Sequence, residues 1–223
     1  MIKRSKEFLM GRSRERKYQY LIKVTKPDNT STILDVGCAD IEYSPYDNYF
    51  EKRYPYPHNL TAASIYSLEH FRKRYKGIRT VSYQGDILPF DTREFSIVIS
   101  NAVIEHVGPF EKQLIFVKEL ARVGMQFFYT TPAREFFLEM HTNFPFIHWL
   151  PDSLFDHLVR LFGKGWAAGG YMHLLRRGDI DPSSTVVGIF RGIFEGRIEE
   201  TSGSVFLENE IAVGMRESIY CLQ

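Results

Sequence analysis

The feature that most constrains this chain is a repeated alternation between residues 32 and 130. Short apolar runs read as strands: TILDV (32–36), NLTAASI (59–65), TVSYQ (80–84), FSIVIS (95–100) and MQFFYT (125–130). Helical patterns fall between them, SLEHFRKRY (67–75) and PFEKQLIFVKELARV (109–123). In the second helix Leu114, Phe116, Val117, Leu120 and Ala121 recur at helical spacing. FSIVIS is β-branched with little apolar–polar alternation, as expected of a strand covered on both faces. Strands alternating with helices argue a parallel sheet wrapped by helices. With 223 residues, one such α/β domain fits the length and two would be cramped.

Outside the alternation the pattern is weaker. RERKYQYLIKV (14–24) reads as a helix ending before Pro27, so residues 1–28 form an N-terminal helical segment. The first 24 residues hold Lys3, Arg4, Lys6, Arg12, Arg14, Arg16, Lys17 and Lys23 against Glu7 and Glu15. Such a run is usually a solvated face. A helix closing over a ligand and a nucleic-acid contact are the alternatives. Residues 42–58 carry no assignable pattern. Residues 131–182 interrupt the alternation, include a helix at 152–162, and are expected to form a substrate-covering insertion within a single domain, 1–223. RIEETSG and ENEIAVGMRES read as two terminal strands, with SGS as the turn.

The formal net charge of +1 gives no global reason to expect nucleic acid or a membrane surface as partner. Cys38 and Cys221 form no CxxC pair, which argues against a thiolate zinc site and fits a reducing compartment. No apolar stretch is long enough for a membrane span, and the basic start lacks an apolar h-region. The expected localisation is the cytoplasm.

The chemistry gathers around ILDVGCAD (33–40). Asp35, two residues before Gly37 at a strand's carboxyl end, can accept a ligand's donors or order the turn, and Gly37 permits close approach of backbone. In open α/β sheets ligands bind at that edge. ILDVGCAD resembles motif I of the class I S-adenosylmethionine-dependent methyltransferases. QGDILPFDTREFSIVISNAVIEHVG (84–108) resembles the acidic loop and fourth-strand motif of their type 11 small-molecule group. FFYTTPAREFFLEMHTNFPFIHWLP (127–151) is similar to a bacterial subset of it. The resemblance covers roughly residues 30–216.

The resemblance implies a Rossmann-like α/β fold, a seven-stranded, mostly parallel sheet with helices on both faces and an antiparallel strand near the C-terminus. It implies S-adenosyl-L-methionine as cofactor, held by Asp35, Gly37, Cys38 and Ala39, by Ser64, by Asp86 and Ile87, and by Asn101. The departures are specific. Ala39 and Ile41 stand where the family has further glycines, and Ser64 lies where it has a ribose-binding acid. The alternative reading of Asp86 is a loop carboxylate without a ligand, and Cys38 reads as a small packed residue rather than a nucleophile.

Methyl transfer requires a positioned acceptor and, for a hydroxyl, a base near neutral pKa. His106 in SNAVIEHVG is the candidate base; its bland reading is a histidine that ties down the loop. Glu105, Glu139, His141, His148 and Trp149 are the candidate substrate-side residues. Glu105, His106, Glu139 and His141 offer nitrogen and oxygen donors to a metal, but Ala102 stands where metal-using relatives carry a glutamate, so no metal is assigned. The expected activity is methyl transfer to O or N of a small-molecule acceptor, a sugar or a natural-product intermediate. A non-catalytic scaffold with a degenerate cofactor site and a nucleic-acid methyltransferase are the alternatives. A homodimer is allowed, and no membrane partner is expected.

Overall fold

A computed structural model of the chain describes residues 2–135, 137–139, 141, 142, 144–176, 179, 205–207 and 210–216. In chain order the elements are α1 (Ile2–Thr25), β1 (Ile33–Val36), α2 (Tyr49–Arg53), β2 (Leu60–Ser64), α3 (Glu69–Arg74), β3 (Arg79–Ser82), β4 (Phe95–Asn101), α4 (Phe110–Val123) and β5 (Gly124–Pro132). Then follow β6 (Leu138–Glu139), β7 (Phe144–Pro145), α5 (Asp152–Leu161), β8 (Val205–Leu207) and β9 (Glu210–Arg216).

The main sheet runs β3-β2-β1-β4-β5. β1 pairs in parallel with β2, Asp35 opposite Ala62, and with β4, Asp35 opposite Ile99. β2 pairs in parallel with β3, and β8 with β9 antiparallel. The order reverses beside β1, which places its carboxyl end at the crevice where such sheets take ligands. This is a Rossmann-like α/β sheet of parallel strands with helices.

The chain divides into two compact units, Met1–Ser100 with Lys118–Phe128 and the end from Met215, and Asn101–Val117 with Tyr129–Gly214. In the first unit Leu34, Val36, Phe71, Val98, Leu120 and Val123 are fully buried, each worth about 1.5–3 kcal/mol relative to exposure. Packing is tight at Gly124, where an added Cβ would lie 2.6 Å from Val98 Cγ2 and 2.7 Å from the Gln126 carbonyl oxygen. In the second unit Ile147, Val159 and Ala167 form a small core with Phe144 and Phe155 packed on it.

Several local expectations change. The N-terminal helix begins twelve residues earlier than the apolar spacing indicated, at Ile2 rather than residue 14. It is also more than a solvated basic face, since Lys17 and Leu21 are buried. An added Cβ at Gly11 would come within 2.6 Å of the Tyr46 ring, so the absence of a side chain allows that close packing. β3 ends at Ser82 rather than 84 because Gly85, at φ +84°, belongs to a turn. Residues 42–58 contain α2, whose short length hides any helical period. At the C-terminus β8 lies after SGS, so SGS is not the turn of this strand pair. RIEETSG falls outside the described residues. None of the described helices is long and apolar enough to cross a membrane.

Candidate functional site

In the first unit the site is built on the loop after β1. Gly37 takes φ +102°, a conformation L side chains rarely adopt, and its N–H donates to the Ala63 carbonyl at 2.7 Å. Neither Ala39 nor Ile41 has a positive φ, so the two missing glycines cost this loop nothing conformationally. The N–H of Ala39 donates to Asn48 Oδ1 at 2.9 Å, and Asn48 Nδ2 donates back to the Ala39 carbonyl at 2.8 Å. Ala39 therefore has both backbone groups engaged by one amide. Asp40 closes the loop by accepting from the Phe71 N–H, 2.9 Å, and pairing with His70 Nδ1, 2.7 Å. The Phe71 bond and the His70 pairing hold its carboxyl below the usual range.

Behind this loop Asp35, Cys38 and Glu51 converge, with their polar atoms all within 4.8 Å of one another. The Cys38 thiol donates to Glu51 Oε1 at 3.0 Å. Burial pushes the Asp35 carboxyl well above the usual carboxylate range. The Glu51 carboxyl adds to the rise by its charge and a hydrogen bond, while Cys38 and Arg14 pull the other way. Burial, then Asp35 and Glu51, push the Cys38 thiol up as well. A raised thiol pKa beside two carboxyls is the opposite of nucleophile activation. Glu51 Oε2 is buried and without a protein partner. One proton held between the carboxyls, or a cation brought to them, would relieve the crowding of the two acids and satisfy the orphaned oxygen.

Ser64 ends β2 buried, with its hydroxyl accepting the Tyr66 N–H at 3.3 Å. Asp86 and Ile87 are exposed in the turn after Gly85. The sequence reading missed Glu51, which lay in the unassigned stretch, and Arg14, concealed in a basic run.

The second unit begins where β4 ends. Asn101 Oδ1 accepts from Thr130 Oγ1 at 2.8 Å, and the Ala102 N–H donates to the Thr130 carbonyl at 2.8 Å. Ala102 adopts φ +56°, an uncommon conformation for a residue with a Cβ, directly before the turn that carries Ile104, Glu105 and His106. Glu105 is completely buried. Its Oε2 accepts from Thr131 Oγ1 at 3.1 Å, while Oε1 has no hydrogen-bond partner and stands 4.0 Å from His106 Nε2. His106 Nδ1 lies 3.3 Å from the Tyr171 carbonyl oxygen. Since a carbonyl can only accept, Nδ1 is the donor of this contact. The His141 ring lies edge-on to His106 at 5.3 Å between centroids. Gln113, buried on α4, donates to the carbonyls of Ile104 and His173 at 3.2 and 2.7 Å and braces the turn.

His148 and Trp149 are placed otherwise. His148 Nε2 and Trp149 Nε1 both donate to the Arg134 carbonyl, at 3.0 and 2.7 Å. His148 also lines a cavity of about 570 Å³ with Arg134, Asp152, Asp156 and His173. The side chain of Glu139 falls outside the described part of the structure.

No family model matches the chain, and no curated protein matches it in sequence. Solved structures do. A methyltransferase from Methanosarcina mazei aligns over 89% of this chain and 99% of its own, at 12% identity and a TM-score of 0.51. Magnesium protoporphyrin IX methyltransferase from Synechocystis PCC 6803, solved with bound S-adenosylhomocysteine, aligns over 92% of this chain and 83% of its own, at 11% identity and a TM-score of 0.52. The fold is that of the S-adenosylmethionine-dependent methyltransferases. At these identities the likeness concerns the fold alone.

Proposed function

We propose that this chain transfers the methyl group of S-adenosylmethionine to an oxygen or nitrogen of a small molecule, a sugar or a natural-product intermediate of the kind served by the type 11 group. The observation that carries the reading is the pair of carboxyls, Asp35 and Glu51, at the carboxyl end of β1 behind Gly37. The cofactor's amino group is cationic, and the orphaned Glu51 oxygen beside Asp35 fits such a cation. The backbone at Gly37 and Cys38, with Ser64, Asp86, Ile87 and Asn101, completes the cofactor set. β8 and β9 serve as the last two strands of a seven-stranded sheet with helices on both faces, and residues 131–182 cover the acceptor.

When bound, the cofactor supplies an electrophilic methyl on sulfur. The chain's task is then to orient the acceptor and receive its proton. Glu105 and His106 are suited to the second part. Nδ1 of His106 is anchored on the Tyr171 carbonyl, so Nε2 is the proton-accepting atom, and the buried Glu105 carboxylate stabilises the imidazolium that results.

The reading is tested first by calorimetry with S-adenosylhomocysteine. Binding that is lost in Asp35→Ala, with the fold retained, supports it; absence of binding by the wild type favours the scaffold alternative. A screen of hydroxyl and amine acceptors then supplies the substrate. With it, His106→Ala should lower turnover by about 10²-fold or more if the histidine is the base, with cofactor affinity unchanged.

A further inference from the structure

The cavity of about 570 Å³ in the second unit has the size of a small-molecule site. Its wall is tied to the turn that carries Glu105 and His106. Tyr171 lines the cavity, and its carbonyl oxygen lies 3.3 Å from His106 Nδ1. His173 lines it too, and its N–H donates to the Glu105 carbonyl at 2.8 Å.

The charges of the lining do not balance. Asp152, Asp156 and Asp179 stand against one guanidinium, that of Arg134. Asp152 and Asp156 lie one turn apart on α5, where like charges repel. The positive end of the helix offsets Asp152 in its first turn, and its effect fades before Asp156. Asp156 is fixed in place. Both its oxygens accept from the Gly169 N–H, at 3.0 and 3.1 Å, and Arg160 Nη2 stands 3.5 Å from one of them. A carboxylate has about four lone-pair sites, so this anchored acid still has room for a donor.

Gln113 is the second, independent sign of a ligand. It borders the cavity and is only 2% exposed. Both hydrogens of its Nε2 are spent on the Ile104 and His173 carbonyls. Its Oε1 accepts no hydrogen bond among the described residues. A buried amide oxygen beside a cavity calls for a donor inside it.

We propose that this cavity binds an amino sugar, with its ammonium group at Asp152 and Asp156 and a hydroxyl donating to Gln113 Oε1. The excess of carboxylate selects a cation over an anion. The acceptors come from two separate helices, α4 and α5, so the ligand must carry several donors, as a polyhydroxylated amine does. Phe110, Phe155 and Tyr171 supply the apolar faces against which a sugar ring or an ammonium group packs.

The inference deepens the proposed function and rests on it for the ligand being the methyl acceptor. It also chooses between the two acceptor atoms named there. An ammonium beside carboxylates keeps its proton and has no lone pair to attack with. The amine is therefore a handle, and a hydroxyl oxygen is methylated. That oxygen gains the methyl and gives its proton to His106, while the electron pair of the broken methyl–sulfur bond stays on sulfur.

The test is calorimetry on the full chain at slightly acidic pH, with glucosamine as the probe and glucose, N-acetylglucosamine and cyclohexylamine as controls. S-adenosylhomocysteine binding is measured on the same sample. Glucosamine should bind about tenfold or more tightly than each control, and Asp152→Asn should abolish its advantage over glucose. Asp152 is exposed, so this variant does not endanger the fold. Asp156→Asn, which keeps an oxygen for Gly169, should act in the same way. No binding of glucosamine, equal binding of N-acetylglucosamine, or an advantage unchanged in both variants overturns the proposal. Equal binding of cyclohexylamine overturns it as well, because the sugar hydroxyls then contribute nothing. Glucosamine binding without S-adenosylhomocysteine binding keeps the ligand and removes the methyltransferase reading. S-adenosylhomocysteine binding without glucosamine does the reverse.

Discussion

The loop after β1 and the turn after β4 both bury a carboxylate, and they do so by different means. Asp35 sits on a regular strand, next to a second carboxyl and a thiol, and is pushed toward its neutral form. Glu105 sits on irregular backbone, with one hydroxyl on one oxygen and an imidazole facing the other. The first arrangement can be relieved by a proton or a cationic ligand. The second sets a single ring nitrogen 4.0 Å from the unpaired oxygen. Two buried acids of similar chemistry thus acquire different partners through the backbone that carries them.

Gly124→Ala should produce the largest effect and tests whether the strand-based unit is as closely packed as its geometry. The added Cβ meets Val98 and fixed backbone, which cannot move aside cheaply. A loss of about 2–4 kcal/mol is expected in urea unfolding, and an unchanged midpoint would show slack in the sheet. Thr131→Val addresses the other unit. It strips the Thr131 donor from Glu105 Oε2 and should cost about 1–3 kcal/mol, read in the same experiment. A neutral result would mean that water reaches this carboxylate, erasing the contrast with Asp35.

Asp35→Asn sharpens the comparison through pH. The folded Asp35 carboxyl has a raised pKa, so between its unfolded and folded values the native state holds more protons than the unfolded chain. Stability therefore falls as pH rises through that window. The asparagine variant should lose this dependence and gain thermal stability near neutrality. Its affinity for S-adenosylhomocysteine should drop by about tenfold or more, as for loss of a charge-assisted bond. Melting curves across pH that superimpose for variant and wild type would remove Asp35 as the titrating group. The smallest effect is expected at Ala102→Gly. Relieving a positive φ is worth about 1–2 kcal/mol and is offset by about 0.4–1 kcal/mol of added unfolded-state entropy, so a small net gain is expected, and a destabilised variant would show that the alanine methyl is needed for packing.

These two regions also mark how far the sequence could be read. The strands around β1 were legible because burial on both faces leaves dense apolar runs, and Gly37 marks their end. Glu51 was not, because a five-residue helix has no room for a period and its partner Asp35 lies sixteen residues away. In the second unit Glu105 and His106 stood out by type. Nothing in the order of residues showed that Thr131 would meet Glu105, that Tyr171 would set the tautomer of His106, or that Gln113 would brace the turn. Such pairings depend on where irregular backbone crosses itself. Ser64 was singled out by its position at the end of its strand, and nothing in the order of residues showed that its hydroxyl would accept from the Tyr66 N–H of its own loop.

The shared acceptor at Arg134 has a genetic consequence. A backbone carbonyl cannot be removed by substitution, and here two neighbouring side chains, His148 and Trp149, are bound to the same one. Either can be lost while the other keeps the segment tethered, so single changes at 148 or 149 fall on a buffered anchor. Losing both leaves nothing on that oxygen from either residue, and the penalty exceeds the sum of the two. This stretch is therefore a place where sequence can drift one residue at a time without visible cost, and where the order in which changes arrive decides whether the fold tolerates them.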